Sequence, residues 1–190
     1  MKTDIILAGV GGQGILSIAA IIGEAALEDG LYMKQTEVHG MSQRGGDVQS
    51  HLRISDKPIA SDLIPLGTAD IIISLEPMEA LRYLPYLKKD GWIVTNSVPF
   101  NNISAYPEIE KIIEIYNSFD NKIIVDVEQI AKNLGYPRSG NIVLLGLASR
   151  YLPIEISKLE NGIRKVFGRK GEAVVEMNLK AFTLPLSPPS

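Results

Sequence analysis

The stretch Ile5-Ile6-Leu7-Ala8-Gly9-Val10-Gly11-Gly12-Gln13-Gly14 decides the fold of this chain. Its apolar beginning is typical of a strand that is buried on both faces, and its end fits the pattern G-x-G-x-x-G. Apolar residues then recur at helical spacing from Ile15 to Ala26, which predicts a helix. A strand, a glycine turn and a helix in this order expose backbone N–H groups at a helix start, where an anion such as a phosphate is favoured.

The dinucleotide fingerprint that begins with such a turn is incomplete here. It requires an acid about 20 residues beyond the last glycine, but that position holds Lys34. The nearest acid, Glu37, comes just before His39 and Gly40 instead of closing a strand cleanly. Two interpretations therefore stay open: a turn that needs glycine only for close packing, or a backbone anion site formed by Gly11, Gly12, Gln13 and Gly14.

Composition sets limits on the class of protein. With 190 residues, the chain is long enough for a real core, and we expect one domain over 1–190 whose tail, 183–190, is extended. The net charge of -3 argues against a nucleic-acid binder that relies on bulk charge. The amino-terminal sequence contains no apolar run long enough for a signal peptide or a membrane span, so we expect a cytoplasmic protein without a membrane partner.

The chain contains no cysteine and only two histidines, His39 and His51. Disulfides, thiolate nucleophiles and cysteine-ligated iron–sulfur clusters are therefore excluded on this chain, and a multi-histidine metal site is not expected. We interpret both histidines as structural, hydrogen-bonded residues and not as catalysts.

Short apolar strands alternate with amphipathic helices along most of the chain. This alternation predicts an α/β fold with one Rossmann-like, open and mostly parallel sheet and helices on both faces. Ligands of such folds bind beyond the carboxyl ends of the strands, where Glu76 and Asn96 follow two predicted strands. Simple helix capping and turn chemistry explain these two residues equally well. Asn141, at the start of a later predicted helix, is a third candidate binding residue, although Ser139 or Asn141 could also cap that helix.

A second unusual segment lies between two predicted strands, 31–38 and 47–54. The second strand alternates apolar and polar residues, which predicts a half-exposed and antiparallel strand, so the pair would form a hairpin-like arm. Three glycines surround one arginine in the connection. Its tip is either a flexible, solvated loop or a site for an anion or a protein partner, formed by Gln43, Arg44, Gly45 and Gly46.

Several motifs in the same order resemble the gamma-type subunit of the 2-oxoacid:ferredoxin oxidoreductases, and most nearly the beta subunit of the indolepyruvate enzymes. Together they cover most of the chain. They are Gly9 to Gly14, Glu37 to Gly46 with the strand that follows, Glu76-Pro77-x-Glu79-Ala80-Leu81-Arg82, Asn141-x-Val143-x-Leu145-Gly146 and Asn178-x-x-Ala181-Phe182.

The resemblance implies an accessory subunit that is inactive alone and contributes no catalytic residue. Its holoenzyme would decarboxylate a 2-oxoacid on thiamine diphosphate and magnesium, pass electrons through iron–sulfur clusters to ferredoxin, and release an acyl-CoA. A companion alpha subunit would carry the thiamine and the clusters. The glycine turn would be an anion site, and the loop at Gln43 to Gly46 would face the partner or coenzyme A, with Arg44 contacting a phosphate or carboxylate.

Three other hypotheses for the function remain open. One is a free-standing NAD(P)-dependent oxidoreductase, which the missing acid near Lys34 makes less attractive. The second is the gamma subunit of a pyruvate- or oxoglutarate-type enzyme. The third is a non-enzymatic module that senses nucleotides or coenzyme A and self-assembles. Homodimerisation would fit any of them, since an exposed arm would seek cover.

Overall fold

The computed structural model describes residues 1–40, 46–101 and 105–186. Six strands are present there: β1 (Lys2–Val10), β2 (Tyr32–His39), β3 (Asp47–Ser55), β4 (Ala69–Ser74), β5 (Leu87–Asn96) and β6 (Lys122–Val125). The helices of the same ranges are α1 (Ile15–Glu28), α2 (Pro77–Arg82), α3 (Ile109–Asn117), α4 (Val127–Asn133), α5 (Gly140–Ser149), α6 (Ile156–Phe167) and α7 (Glu172–Thr183).

All six strands form one open sheet in the order β2-β3-β1-β4-β5-β6. The strands β1, β4, β5 and β6 are parallel, whereas β3 runs antiparallel to both of its neighbours. The predicted open α/β sheet is therefore confirmed, as a mixed sheet. The prediction of a hairpin-like arm holds in part. The strands β2 and β3 do pair antiparallel, but β3 lies inside the sheet between β1 and β2, so the hairpin is part of the sheet.

The prediction that β3 is half exposed is wrong. Its polar residues His51 and Arg53 are buried as fully as its apolar ones. The connector 56–68 supplies their partners: Arg53 donates to the carbonyl oxygens of Ser61 and Leu63, each at 2.8 Å, and His51 Nδ1 accepts the N–H of Ile64 at 2.9 Å. The alternating pattern thus marks a buried polar face and not a solvated one.

His51 and Arg53, on that buried face, both have structural roles. Arg53 also forms a buried ion pair with Asp4 of β1, with 2.8 Å between Nε and Oδ1. Burial lowers the pKa of His51, and the Arg53 guanidinium lowers it further. His51 is therefore a buried, hydrogen-bonded residue, as the sequence indicated, and its exclusion from catalysis stays a prediction.

The sheet separates two layers of apolar side chains. One layer lies beneath α1, α5, α6 and α7 and includes Ile5 and Leu7 of β1. The other lies beneath α2, α3 and the connector and includes Ile6 and Ala8 of the same strand. Helices on both faces explain why β1 reads as a continuous apolar run.

The carboxyl-terminal segment differs from the extended tail that was predicted. Thr183 ends α7, and Leu184–Leu186 form one 3-10 turn. Pro185 fits this turn because its fixed φ lies in the 3-10 range. Residues 187–190 lie outside the described part. Among the helices of the described ranges, none is both long and apolar enough to cross a membrane.

Candidate functional site

The glycine turn at the carboxyl end of β1 is held by its own backbone. The N–H of Gly11 donates to the carbonyl oxygen of Gly46 at 2.8 Å, and the N–H of Gln13 donates to that of Val10 at 3.1 Å. Gly12 and Gly14 adopt φ values of 99° and 89°, which favour glycine. The structure thus brings Gly46 to the turn, and it commits the Gly11 N–H that an anion was expected to bind.

Gln13 joins the turn to the neighbouring parallel strand. Its Oε1 accepts the N–H of Val10 at 2.7 Å, and its Nε2 donates to the carbonyl oxygen of Leu75, just after β4, at 3.1 Å. A Cβ at Gly9 would come within 2.9 Å of Gln13 Oε1. Close packing therefore explains Gly9, and backbone linkage explains the amide of Gln13.

Asn96 also links backbone segments, one strand further along the sheet. It is 1% exposed, and its Nδ2 donates to the carbonyl oxygens of Leu75 at 3.4 Å and Val98 at 3.2 Å. Its Oδ1 accepts the N–H of Val127, the first residue of α4, at 3.2 Å. Both donors and the acceptor of this amide are therefore engaged with the backbone.

Asn141 is the third amide, and it comes from the first turn of α5. Its Nδ2 donates to the carbonyl oxygen of Gly14 at 3.3 Å. A Cβ at Gly14 would lie 2.6 Å from that nitrogen, so the glycine permits the close approach of α5 to the turn. The start of α5 is thereby fixed beside the start of α1.

Glu76 is a buried cap whose carboxylate organises the loop after β5. One oxygen accepts the N–H of Glu79 at 2.7 Å, which caps α2. The other accepts the N–H of Phe100 at 3.3 Å and the hydroxyl of Tyr106. Burial, and then the hydrogen bond to Glu76, raise the pKa of Tyr106. The capping interpretation of Glu76 matches these contacts.

A crevice of about 170 Å³ opens between the glycine turn and the start of α5. We call it the turn crevice. Two exposed cations, Lys132 of α4 and Arg138, lie on its wall beside the acid Glu128. Its full lining is Gln13, Leu75, Val127, Glu128, Lys132, Pro137, Arg138, Gly140 and Asn141.

The turn crevice has the features of an anion site. The N–H groups of Gly140 and Asn141, the first two of α5, lie at its edge, and the side chain of Ser139 does not cap the helix. The next two N–H groups donate to the carbonyl oxygen of Ser139. Lys132 and Arg138 add positive charge, and Arg138 offers a forked set of donors. Ser139, which precedes α5, is buried, and its Oγ has no hydrogen-bond partner within the described ranges.

Sequence reasoning missed Lys132, Arg138 and Glu128. The arginine two residues before the start of α5 was the available signal for anion binding in the segment Tyr136 to Asn141. Of the predicted site residues, Gly11, Gly12, Gln13, Gly14, Gly46 and Asn141 come together here, with Asn96 and Glu76 supporting the strand ends behind them. Gln43, Arg44 and Gly45 lie outside the described residues.

A second titratable group lies near these strand ends without joining the crevice. Glu79 of α2 is buried and pairs with Arg82, with 3.1 Å between Nε and Oε2. Burial raises the pKa of Glu79. Burial also raises the pKa of Tyr83, to about 12. Within the described ranges, no three histidine, cysteine or acidic side chains are grouped to hold a metal ion.

Comparison with known proteins gives one consistent family. Residues 4–186 match the model of the pyruvate ferredoxin/flavodoxin oxidoreductase family. The chain is 37% identical over 193 residues to the indolepyruvate oxidoreductase subunit IorB of Archaeoglobus fulgidus, and the match covers 97% of this chain and 94% of that protein. It is 38% identical over 191 residues to IorB of Pyrococcus horikoshii, with 95% and 93% covered.

Solved structures agree with this result. The gamma subunit of a keto/oxoacid ferredoxin oxidoreductase from Geobacter sulfurreducens is 27% identical, with a TM-score of 0.70 and coverage of 97% of this chain and 94% of that one. A 2-oxoglutarate:ferredoxin oxidoreductase from Magnetococcus marinus, with 2-oxoglutarate, coenzyme A and succinyl-CoA bound, shares the fold at a TM-score of 0.74 and 24% identity. That match covers 97% of this chain and 30% of the other.

Proposed function

Because the chain belongs to the pyruvate ferredoxin/flavodoxin oxidoreductase family, we propose that it serves an enzyme that converts indolepyruvate or a related aryl pyruvate to an acyl-CoA. In this family it is a non-catalytic subunit of a 2-oxoacid:ferredoxin oxidoreductase. The aryl pyruvate rests on the names of relatives that match nearly the whole chain.

The chemistry of electron transfer belongs to a partner subunit in this proposal. The chain has no cysteine to hold an iron–sulfur cluster. The sequence also contains no Gly-Asp-Gly followed by a distant Asn, the usual magnesium–diphosphate signature of thiamine enzymes. The alpha-type partner would therefore carry the thiamine, the magnesium and the clusters, and would deliver electrons to ferredoxin.

The turn crevice is the observation that carries a role for this chain in binding coenzyme A. Lys132 and Arg138 offer positive charge for a phosphate group, and the first two N–H groups of α5 offer donors to it. A crevice of about 170 Å³ is smaller than the roughly 300–1,000 Å³ of a site that encloses a whole ligand. This chain would thus hold a phosphorylated end of coenzyme A, and the partner would enclose the remainder.

The NAD(P) alternative is disfavoured by the strand order. A dinucleotide fold needs its acid at the end of the strand beside β1, and here β3 occupies that place. Glu37 on β2 is two strands away from β1, roughly 10 Å at the usual spacing. Lys34 holds the position at which the fingerprint requires an acid, and its Nζ donates to the carbonyl oxygen of Ala60 at 3.1 Å.

The first test is a pull-down of the tagged chain from its native cells under anaerobic conditions. The eluate is assayed for 2-oxoacid- and CoA-dependent reduction of a viologen dye. We expect a cysteine-rich partner and higher kcat/KM for indolepyruvate than for pyruvate or 2-oxoglutarate. Recovery of the chain alone, inactive with oxoacids but binding NAD(H), would refute the proposal. Preference for pyruvate or 2-oxoglutarate would refute its substrate class.

The second test addresses the turn crevice in the purified complex. We expect Arg138→Gln to raise the KM for coenzyme A about 10- to 100-fold, as the loss of a charged hydrogen bond would, and to leave the KM for the oxoacid unchanged. Lys132→Gln should act in the same direction. Lys111→Gln is the matched control, since Lys111 is an exposed cation on α3. An unchanged KM for coenzyme A in both crevice variants would exclude this role.

A further inference from the structure

The strand β2 forms a long and regular edge of the sheet. It pairs with β3 over eight residues without a shift in register, and in the described part of the chain it has a strand on that side alone. The opposite edge, β6, is four residues long. Soluble proteins protect a long edge with charged side chains, proline or a bulge. The strand β2 carries the charged residues Lys34 and Glu37, but it contains no proline, and its register has no bulge.

The outward backbone groups of β2 follow from its pairing with β3. The N–H of Gly40 donates to the carbonyl oxygen of Asp47 at 2.9 Å and continues the register of that pair. Hydrogen-bonded residues alternate along an antiparallel strand, so the even-numbered residues of β2 bond to β3. The N–H and C=O groups of Met33, Gln35 and Glu37 therefore point away from the sheet.

We propose that this edge binds the same strand of a second copy of the chain, antiparallel about a two-fold axis at Gln35. Two neighbouring six-stranded sheets would then become one continuous sheet. The hydrogen-bonded pairs would be Gln35 with Gln35 of the second copy, and Met33 with Glu37 of the second copy in both directions. Each of these pairs exchanges two N–H···O bonds.

The side chains of β2 are symmetric about the same residue. Tyr32 and Val38, which are 49% and 55% exposed, are equally distant from Gln35 along the strand. The two-fold therefore places Tyr32 opposite Val38 of the second copy, at a non-hydrogen-bonded pair where side chains lie close. A shift that centres the pairing on Thr36 would place Tyr32 opposite Gly40 and lose this contact.

Charge also agrees with the register centred on Gln35. Lys34 comes opposite Thr36 of the second copy, and the hydroxyl of Thr36 is hydrogen-bonded to Asp62. The Lys34 amine already interacts with Asp62 of its own chain, and in the dimer it would also lie near the Asp62 carboxylate of the other copy. No two like charges face each other directly in this register, so both charge and apolar area favour it.

The helix α1 adds a second exposed apolar surface on the same side of the molecule. At 100° per residue, Leu16, Ala20 and Leu27 lie within about 40° of one another on the helix, and all three are exposed. Gly23 borders this stripe and faces β2, since a Cβ there would lie 2.9 Å from Met33 Cε. The two-fold places the second α1 on the same face of the sheet, with its stripe turned toward the first.

Disulfide trapping tests the register in a chain that has no natural cysteine. The Cα atoms of a hydrogen-bonded pair are about 5.5 Å apart, within the roughly 4.4–6.8 Å that a disulfide spans. The full chain with Gln35→Cys should therefore give a covalent dimer on mild oxidation. The control is Leu66→Cys, since Leu66 is exposed on the connector between β3 and β4, and it should remain mostly uncrosslinked.

Sedimentation of the chain without cysteine completes the test. We expect a dimer, and we expect Val38→Asp to shift it to a monomer while the circular dichroism spectrum stays native. A monomer without substitution, or crosslinking of Gln35→Cys no faster than that of Leu66→Cys, would overturn the proposal. A Gln35→Cys disulfide that forms only with the strand of another subunit in the purified complex would also overturn it.

Discussion

Gln13 and Asn96 donate to one acceptor, the carbonyl oxygen of Leu75, at 3.1 and 3.4 Å. The first belongs to the glycine turn, the second ends β5, and their common acceptor follows β4. Three neighbouring elements are thus tied at their carboxyl ends by two side-chain amides. The floor of the turn crevice is fixed by the protein itself, before any ligand binds.

This shared acceptor predicts that the two amides are energetically coupled. Gln13→Ala and Asn96→Ala should each lower the free energy of unfolding by about 1–3 kcal/mol, because each leaves buried backbone groups unpaired. The double variant should lose less than the sum of the two, by at least about 0.5 kcal/mol. Urea denaturation measures all three. The exposed Gln129→Ala is the control, and strictly additive losses would contradict the coupling.

The glycine turn predicts different costs for substitutions at two glycines with similar positive φ values. Gly12 and Gly14 both have left-handed φ values, but a Cβ at Gly14 would meet Asn141 at 2.6 Å, whereas none of the described atoms is within 4 Å of a Cβ at Gly12. Gly12→Ala should cost about 1–2 kcal/mol of stability for the conformation alone. Gly14→Ala should cost clearly more, and thermal unfolding compares them. Equal losses would show that Asn141 moves aside freely.

The buried ion pair between Arg53 and Asp4 predicts a large loss when one partner is removed. Arg53→Met should destabilise the chain by about 3 kcal/mol, near the low end for a broken buried pair, because the buried Asp4 carboxylate keeps only Lys2, whose Nζ lies 2.8 Å from Oδ2. The matched control is Lys111→Met, which removes an exposed ion pair with Glu108 and should change stability by less than about 1 kcal/mol. Adding Asp4→Leu to Arg53→Met should restore part of the loss, and a further loss in the double variant would contradict this account.

The pKa of His51 predicts a loss of stability in acid. The pKa of His51 in the folded chain is lower than its ordinary value of 6.5. Below about pH 6.5, the unfolded chain therefore binds a proton at His51 more readily than the folded chain does. Stability should therefore fall as the pH drops from about 6.5 through the lowered pKa. The charged neighbours of His51, which are Arg53, Asp4 and Asp62, stay unchanged when His51 is replaced by Gln. His51→Gln should flatten the pH dependence over this window, and an unchanged slope would assign it to other groups.

Local pattern was enough to predict the elements that pack through periodic apolar residues. The strand before the glycine turn and the helix that begins at Ile15 both lie where the sequence indicated. The burial of His51 and Arg53 could not be predicted in the same way. Their partners are backbone groups of the connector 56–68, and alternation along a strand does not reveal what covers its polar side.

The candidate site shows the same division. The amides of Gln13, Asn96 and Asn141 were identified as binding residues from their place after strands and before a helix, and the structure assigns each of them a backbone partner. Lys132 and Arg138 escaped notice because their approach to the turn depends on how α4 and α5 return across the sheet. A role in ligand binding stays a prediction for the whole set.

The position of β3 between β1 and β2 has a consequence for how the chain folds during synthesis. When β2 leaves the ribosome, its only described neighbour in the sheet has not yet been made, and β1 also waits for β3 or β4. The contact between β2 and β3 is close in sequence and should form first, whereas joining it to β1 requires closing a loop that contains α1. A nascent chain that stops before Asp47 therefore has no pair of neighbouring strands. The later strands β4, β5 and β6 extend the sheet from β1, on the side opposite the β2–β3 pair.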